Sequence, residues 1–118
     1  MTTSELLKWQ WEGYPRYHQS RTNLALHIVV VPLFLLGNVA FVLGILSPSW
    51  ENSTVGIALT LLSIFAQGRG HRIESVPPEP FTSAGNAVSR IFLEQWITFP
   101  RFVVSGGWAK NWARAISS

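Results

Sequence analysis

Between residues 22 and 50 the chain carries no Asp, Glu, Lys or Arg, and no other feature limits its fold so strongly. Taken as a helix, the segment from Leu24 to Leu46 would be about 34 Å long at about 1.5 Å per residue, enough to cross a hydrocarbon core of about 30 Å. Pro32 inside it predicts a kink that frees the carbonyl of Ile28, a defect tolerated where a neighbouring helix or polar group covers it. A second charge-free window, residues 52–68, is short for an independent span and suits the return arm of a hairpin. The run Ser47-Pro48-Ser49-Trp50-Glu51-Asn52-Ser53 between them reads as the turn. Composition agrees, with 47% hydrophobic and only 13% charged residues, about half the charge of an average soluble chain. The expectation is an all-α protein, one domain over residues 1–118, built as a membrane-embedded helical hairpin with additional amphipathic, interfacial helices.

Flanking charges orient the hairpin. Lys8, Arg16 and Arg21 precede the first apolar run, Arg69 and Arg72 follow the second, and the turn holds only Glu51. The positive-inside tendency then places both ends in the cytoplasm. The N-terminus starts polar and acidic, without the basic and apolar regions of a cleavable signal. A net charge of +3, scattered rather than gathered in a stripe, gives no nucleic-acid footprint. The absence of cysteine excludes disulfides, thiolate metal sites and cysteine nucleophiles. There is no P-loop, dinucleotide fingerprint or serine-hydrolase elbow, and Gly68-Arg69-Gly70 lacks the preceding strand that a phosphate loop requires.

The hairpin gives the three histidines a meeting point. A reversal near Trp50 and Glu51 sets His27 opposite Glu74, with His71 about one turn away and His18 just outside the same end. His71 and Glu74 are three residues apart, the spacing that shares a helix face. Each imidazole alone has a plainer role: His18 at an interface, His27 in a core bonded to a carbonyl, His71 at a helix end. Together they form a candidate metal or acid/base site, because polar groups at the edge of an apolar span are costly without partners. Asn23, one turn before His27, is placed to orient its ring from outside the ligand set.

The remaining segments read as a cover. A short capped helix starts at Thr3-Ser4-Glu5, takes an apolar side from Trp9 and Trp11, and breaks at Gly13 and Pro15. Asn86 caps a helix running to Phe99, with Val88, Ile91, Phe92, Gln95, Trp96 and Phe99 in one stripe and an Arg90–Glu94 pair outside it. Pro100 ends that helix. Ser105-Gly106-Gly107 is a joint, and residues 108–116 repeat the amphipathic pattern, with six tryptophans in the chain suited to interfacial anchoring.

The order Tyr17-His18, Asn23, His27, Pro32, then Gln67-Gly68, Gly70-His71, Glu74 and Pro78 resembles a family of small membrane proteins long catalogued as a domain of unknown function. Its characterised fungal members are iron(II)-dependent dioxygenases that shorten 2-hydroxy fatty acids by one carbon in α-oxidation. The later motifs Pro78-Glu79-Pro80-Phe81, Glu94-Gln95-Trp96, Phe99-Pro100-Arg101-Phe102 and Gly106-Gly107-Trp108 are similar to a bacterial branch. Where members often carry a further His-Pro pair and a Gly-Ile-Pro, this chain has Ser20-Arg21-Thr22 and Val30-Val31-Pro32, leaving His18, His27 and His71 as its only imidazoles. The resemblance implies Fe(II) held by His18, His27, His71 and Glu74, with O2 and a long-chain 2-hydroxy fatty acid as substrates. It implies Arg69 or Arg72 holding the substrate carboxylate, Glu74 and Arg72 acting in catalysis, and a location in the bacterial inner membrane among lipid, where self-association is compatible with it. Imidazoles, a carboxylate and open positions suit non-haem iron. Two other classes stand beside this one: a non-catalytic lipid-binding membrane protein with structural histidines, and a haem protein with two axial histidines.

Overall fold

The computed structural model describes residues 1–117, with the side chains of Ile116 and Ser117 left aside, and is all-helical, without a strand among the described residues. Helix α1 (Thr3–Tyr17) starts at a capping box in which Thr2 Oγ1 accepts from the Glu5 amide at 3.1 Å and Glu5 Oε1 accepts from the Thr2 amide at 3.0 Å. Contrary to the sequence expectation, α1 runs through Gly13 and Pro15. Pro15 falls in the last turn, where it removes one bond to Trp11 and leaves few to disrupt.

Helices α2 (Arg21–Leu46) and α3 (Trp50–Arg72) form the hairpin, capped by Ser20 and Ser49. α2 is long and apolar enough to cross a membrane and continues helical through Pro32. The two helices meet along small residues: Gly37 lies against the Gly56 carbonyl and Thr60, Gly44 against Ser49 and Ser53, Gly70 against Asn23 and Leu26. Ser63 Oγ donates to the Val30 carbonyl. Ser49, Gly56, Ser63 and Gly70 recur every seven residues, as do Val30, Gly37 and Gly44. A seven-residue repeat keeps one seam facing a partner helix, and small side chains let backbones approach.

This register corrects the expected one. The chain turns at residues 47–49, where the amides of Ser47 and Ser49 donate to Leu43 and Gly44, rather than at Trp50 and Glu51. His27 is therefore level with Gln67 to His71, and Glu74 has moved on to the α1–α2 corner. Neither glycine of Gly68-Arg69-Gly70 ends α3, and Glu74 lies beyond the helix rather than on a shared face with His71.

Helix α4 (Ala84–Leu93) is capped by Ser83, not Asn86, whose Oδ1 instead accepts from the Thr82 amide. A π-helical turn (Glu94–Thr98) joins it to α5 (Phe99–Val104), and α6 (Gly107–Ser117) follows the positive-φ Gly106. Pro100 does not end the helix: the widened turn before it, in which the Phe99 amide reaches Glu94, eases the clash a proline makes with the preceding turn. Tyr14, Leu24, Val31, Phe99 and Phe102 form the core where α1, α5 and α6 meet the first half of α2, backed by Trp11, Trp108 and Trp112. Beyond Phe34 the hairpin stands uncovered, with Val42, Leu46, Trp50 and Leu62 all exposed.

The expected stripe of Val88, Ile91, Phe92, Gln95, Trp96 and Phe99 is split: Gln95 and Phe99 are buried, Ile91 is half-buried, and Phe92 meets the buried Phe34 ring edge-on at 5.2 Å. Val88, Phe92 and Trp96 are about half exposed, while Gln95, Thr98, Phe99 and Phe102 face in. Trp96 Nε1 donates to Asn38 Oδ1 on α2 at 3.0 Å. Arg90 donates to the carbonyls of Glu79 and Pro80, holding the 77–81 strap, and makes no ion pair with Glu94. On α6, Ile116, counted in the amphipathic pattern, lies outside the described side chains.

Candidate metal centre

The three histidines arrive on three different elements. His18 caps the C-terminus of α1, His27 lies in the second turn of α2, and His71 in the last turn of α3. Their ring centroids form a near-equilateral triangle with sides of 4.8, 4.9 and 5.0 Å, and each pair of planes is close to perpendicular, at 78 to 89°. Edge-to-face packing of this kind is what aromatic rings adopt by themselves, so the case for a shared partner rests on their nitrogens. The fourth member is Glu94, on the first residue of the π-turn, and one ligand atom from each of the four residues lies within 4.8 Å of the others.

Backbone carbonyls fix the tautomers. His18 Nδ1 donates to the Tyr14 carbonyl at 2.8 Å and His27 Nδ1 to the Asn23 carbonyl at 3.0 Å, because a carbonyl can only accept. Nε2 of both rings is left as a bare lone pair. His18 Nε2, His27 Nε2 and His71 Nδ1 are all buried without a hydrogen-bond partner. Each such orphan costs about 1–3 kcal/mol, so three converging beside a carboxylate call for a common partner. A divalent cation satisfies all of them, with carbonyl-anchored imidazoles of the kind metal sites use. The donor set fits a metal ion.

Electrostatics favour the same state. Burial, with His27 and His71 alongside, holds the His18 imidazole well below its usual pKa, so it is neutral near pH 7. Burial pushes the Glu94 carboxyl up to about 7, against the opposing effects of a Tyr14 hydrogen bond and the Arg90 charge. Tyr14 donates to Glu94 Oε2 at 3.2 Å and stacks on His18 with centroids 3.8 Å apart; burial and the Glu94 charge raise its own pKa well above the ordinary value. Two polar clamps set the π-turn that carries Glu94. Gln95 and Gln67 exchange reciprocal amide bonds of 2.8 Å, and Gln10 bonds Thr98 and the Arg90 carbonyl.

Glu74 has other work. Its oxygens accept from the amides of Gln19 and Ser20 and from Asn23 Nδ2 at 2.7 Å, which ties the corner carrying His18 to the end of α3 and puts a negative charge at the N-terminus of α2. Asn23 orients His27 through its carbonyl rather than its side chain. Gly70 is required here, since a Cβ would strike Asn23 Oδ1. Glu94, which sequence reasoning had placed in a solvated pair with Arg90, is the carboxylate that completes the group.

A cavity of about 530 Å³ opens onto the centre from the side of His18, His71 and Glu94. Trp9, Ile64, Phe81 and Ile91 give it apolar walls, and Arg72 stands among its lining residues. Arg69 lies outside it, over the ring of Phe65. No protein-family model, curated protein or solved structure matches this chain. Fold and site alone define its class: among the described residues, an all-helical protein with one helix fit to cross a membrane and a three-histidine, one-carboxylate group able to hold a metal ion.

Proposed function

We propose that this protein is a membrane-bound non-haem iron(II) dioxygenase that shortens long-chain 2-hydroxy fatty acids by one carbon. The observation that carries the reading is the convergence of three buried, unpartnered imidazole nitrogens on one carboxylate beside a largely apolar cavity. Nitrogen and oxygen donors with room for further ligands suit Fe(II), which when bound supplies oxygen activation. Ligand atoms of three imidazoles and a carboxylate within 4.8 Å of one another favour a single ion over a haem, whose two axial imidazoles stand on opposite sides of a porphyrin.

His18, His27, His71 and Glu94 would hold the ion. Arg72 is positioned to pair with the substrate carboxylate, and Ile64, Ile91, Trp9 and Phe81 keep the acyl chain from water. Tyr14 fixes the Glu94 carboxylate through its hydroxyl and the His18 ring through its carbonyl and its face. The overall reaction balances as one 2-hydroxy acid and one O2 giving the acid one carbon shorter, CO2 and water. Exposed apolar faces along the hairpin, with its tip holding Glu51 and the cations at the other end, support insertion in a bacterial inner membrane with both termini cytoplasmic.

The test is anaerobic purification in detergent, iron reconstitution, and oxygen uptake with 2-hydroxypalmitate. Equal consumption of oxygen and release of CO2 is expected. An iron-loaded protein that consumes no oxygen with 2-hydroxy acids of any chain length overturns the activity.

A further inference from the structure

Gly68 is an anomaly in α3. Gly37, Gly44 and Gly56 lie against the backbone of the facing helix and Gly70 against the Asn23 side chain, but Gly68 is exposed and a Cβ there would meet no atom within 4 Å. Glycine weakens a helix interior, so a glycine with free space before it preserves the space and not the helix. That space is the cavity, whose wall includes Gly68.

Leu61, Ile64, Phe65, Gly68 and Arg72 follow one another at helical spacing along one side of α3. Ile64, Gly68 and Arg72 line the cavity, while Leu61 and Phe65, 61% and 64% exposed, extend its wall outward as bare apolar surface. Across the gap, Ile91 and Gln95 line the cavity and Val88, one turn earlier, is exposed. α3 packs along α2 and stands off from α4, and the cavity fills the gap, walled by Ile64, Gly68 and Arg72 on one side and by Ile91 and Gln95 on the other. At the end of α3 the exposed Arg72, which also lines the cavity, has no hydrogen-bond or ion-pair partner among the described residues.

The geometry points to the α3–α4 cleft as a lateral portal through which one acyl chain of an anionic, single-chain amphiphile enters from the lipid phase, with Gly68 setting its bore and Arg72 receiving its head group. An apolar cleft ending on an unpaired cation matches an acid with a hydrocarbon tail, and the cavity volume is in the usual range for one small ligand. The portal rests on the proposed activity for what the head group meets beyond Arg72, and not for the path itself.

The chain has no cysteine, so Gly68→Cys introduces a single thiol into open space. In proteoliposomes this thiol should react with a membrane-dissolved N-alkylmaleimide and resist a charged, water-soluble methanethiosulfonate. Palmitate at about ten times its dissociation constant should slow the labelling about tenfold. Methyl palmitate, which lacks the charge, should protect far less, and Arg72→Gln should erase the difference between the two. Gly68→Leu, which fills the bore without a clash, should abolish palmitate binding while leaving metal content unchanged. Labelling by the water-soluble reagent at the same rate, no labelling by either reagent, or labelling indifferent to palmitate overturns the portal. Metal is measured on the same samples: protection without metal would sink the metal centre and leave the portal standing, and metal without protection would do the reverse.

Discussion

Replacing Glu94 by Gln should strengthen the metal-free protein and cripple the metal site. The carboxyl is raised by burial from 4.5 to about 7, and at about 1.4 kcal/mol per pH unit that rise corresponds to about 3 kcal/mol. Between pH 4.5 and 7 the folded state keeps a proton that the unfolded state has released, so stability falls as pH rises through this window and levels off above it. Gln keeps the shape and stays neutral. At pH 8 the metal-free variant should therefore exceed the wild type by up to about 3 kcal/mol, and at pH 4.5 the two should coincide. His18 acts in the opposite sense, because its lowered pKa removes stability as pH falls below 6.5, but it is common to both proteins and cancels in the difference. Chemical denaturation of chelator-treated protein in detergent at the two pH values measures the effect, and metal titration at pH 7 measures its counterpart. A variant less stable than wild type at pH 8, with metal affinity unchanged, would refute both the burial of the carboxyl and its place among the ligands.

Glu74→Gln should do the converse: its new amide would face the backbone donors of Gln19 and Ser20, lowering stability by about 1–3 kcal/mol at unchanged metal stoichiometry, and metal loss without destabilisation would contradict the assignment. Gly56→Ala should cost about 1–3 kcal/mol because its Cβ meets the Phe41 backbone, whereas Gly68→Ala should be neutral or stabilising by up to about 1 kcal/mol; equal unfolding midpoints would remove the close-packed seam. Trp96→Phe should lose about 1 kcal/mol, the value of its bond to Asn38, since the ring is 45% exposed; a loss of about 3–5 kcal/mol would place it in a protein core instead.

The hairpin was legible because a long charge-free segment has few soluble alternatives, and the meeting of the histidines followed from reversing the chain. The misplacement of Glu74 followed from the turn position. Ser47-Pro48-Ser49 supplies the turn residue and the α3 cap in three positions, and the seven-residue spacing of Ser49, Gly56, Ser63 and Gly70 against Gly37 and Gly44 carries the true register. Glu94 escaped notice because helical spacing paired it with Arg90 four residues earlier. Its signal was its company, an acid that with Gln95 interrupts the apolar residues Ile91-Phe92-Leu93 and Trp96-Ile97. The expected stripe failed at Val88 and Trp96 because the π-turn breaks the helical spacing after Leu93, and its inner face is polar, holding Glu94, Gln95 and Thr98 at the site. The π-turn has no sequence rule of its own beyond the proline that follows it.

The central claim is that His18, His27 and His71 bind one metal ion together. Metal content per chain, measured by elemental analysis after anaerobic purification for the wild type and the three single His→Ala variants, tests it most directly. The account predicts one iron per wild-type chain, its near-complete loss in every single variant, and a triple variant scarcely worse than any one of them. Wild-type iron content in His71→Ala, with the fold intact by circular dichroism, would contradict it.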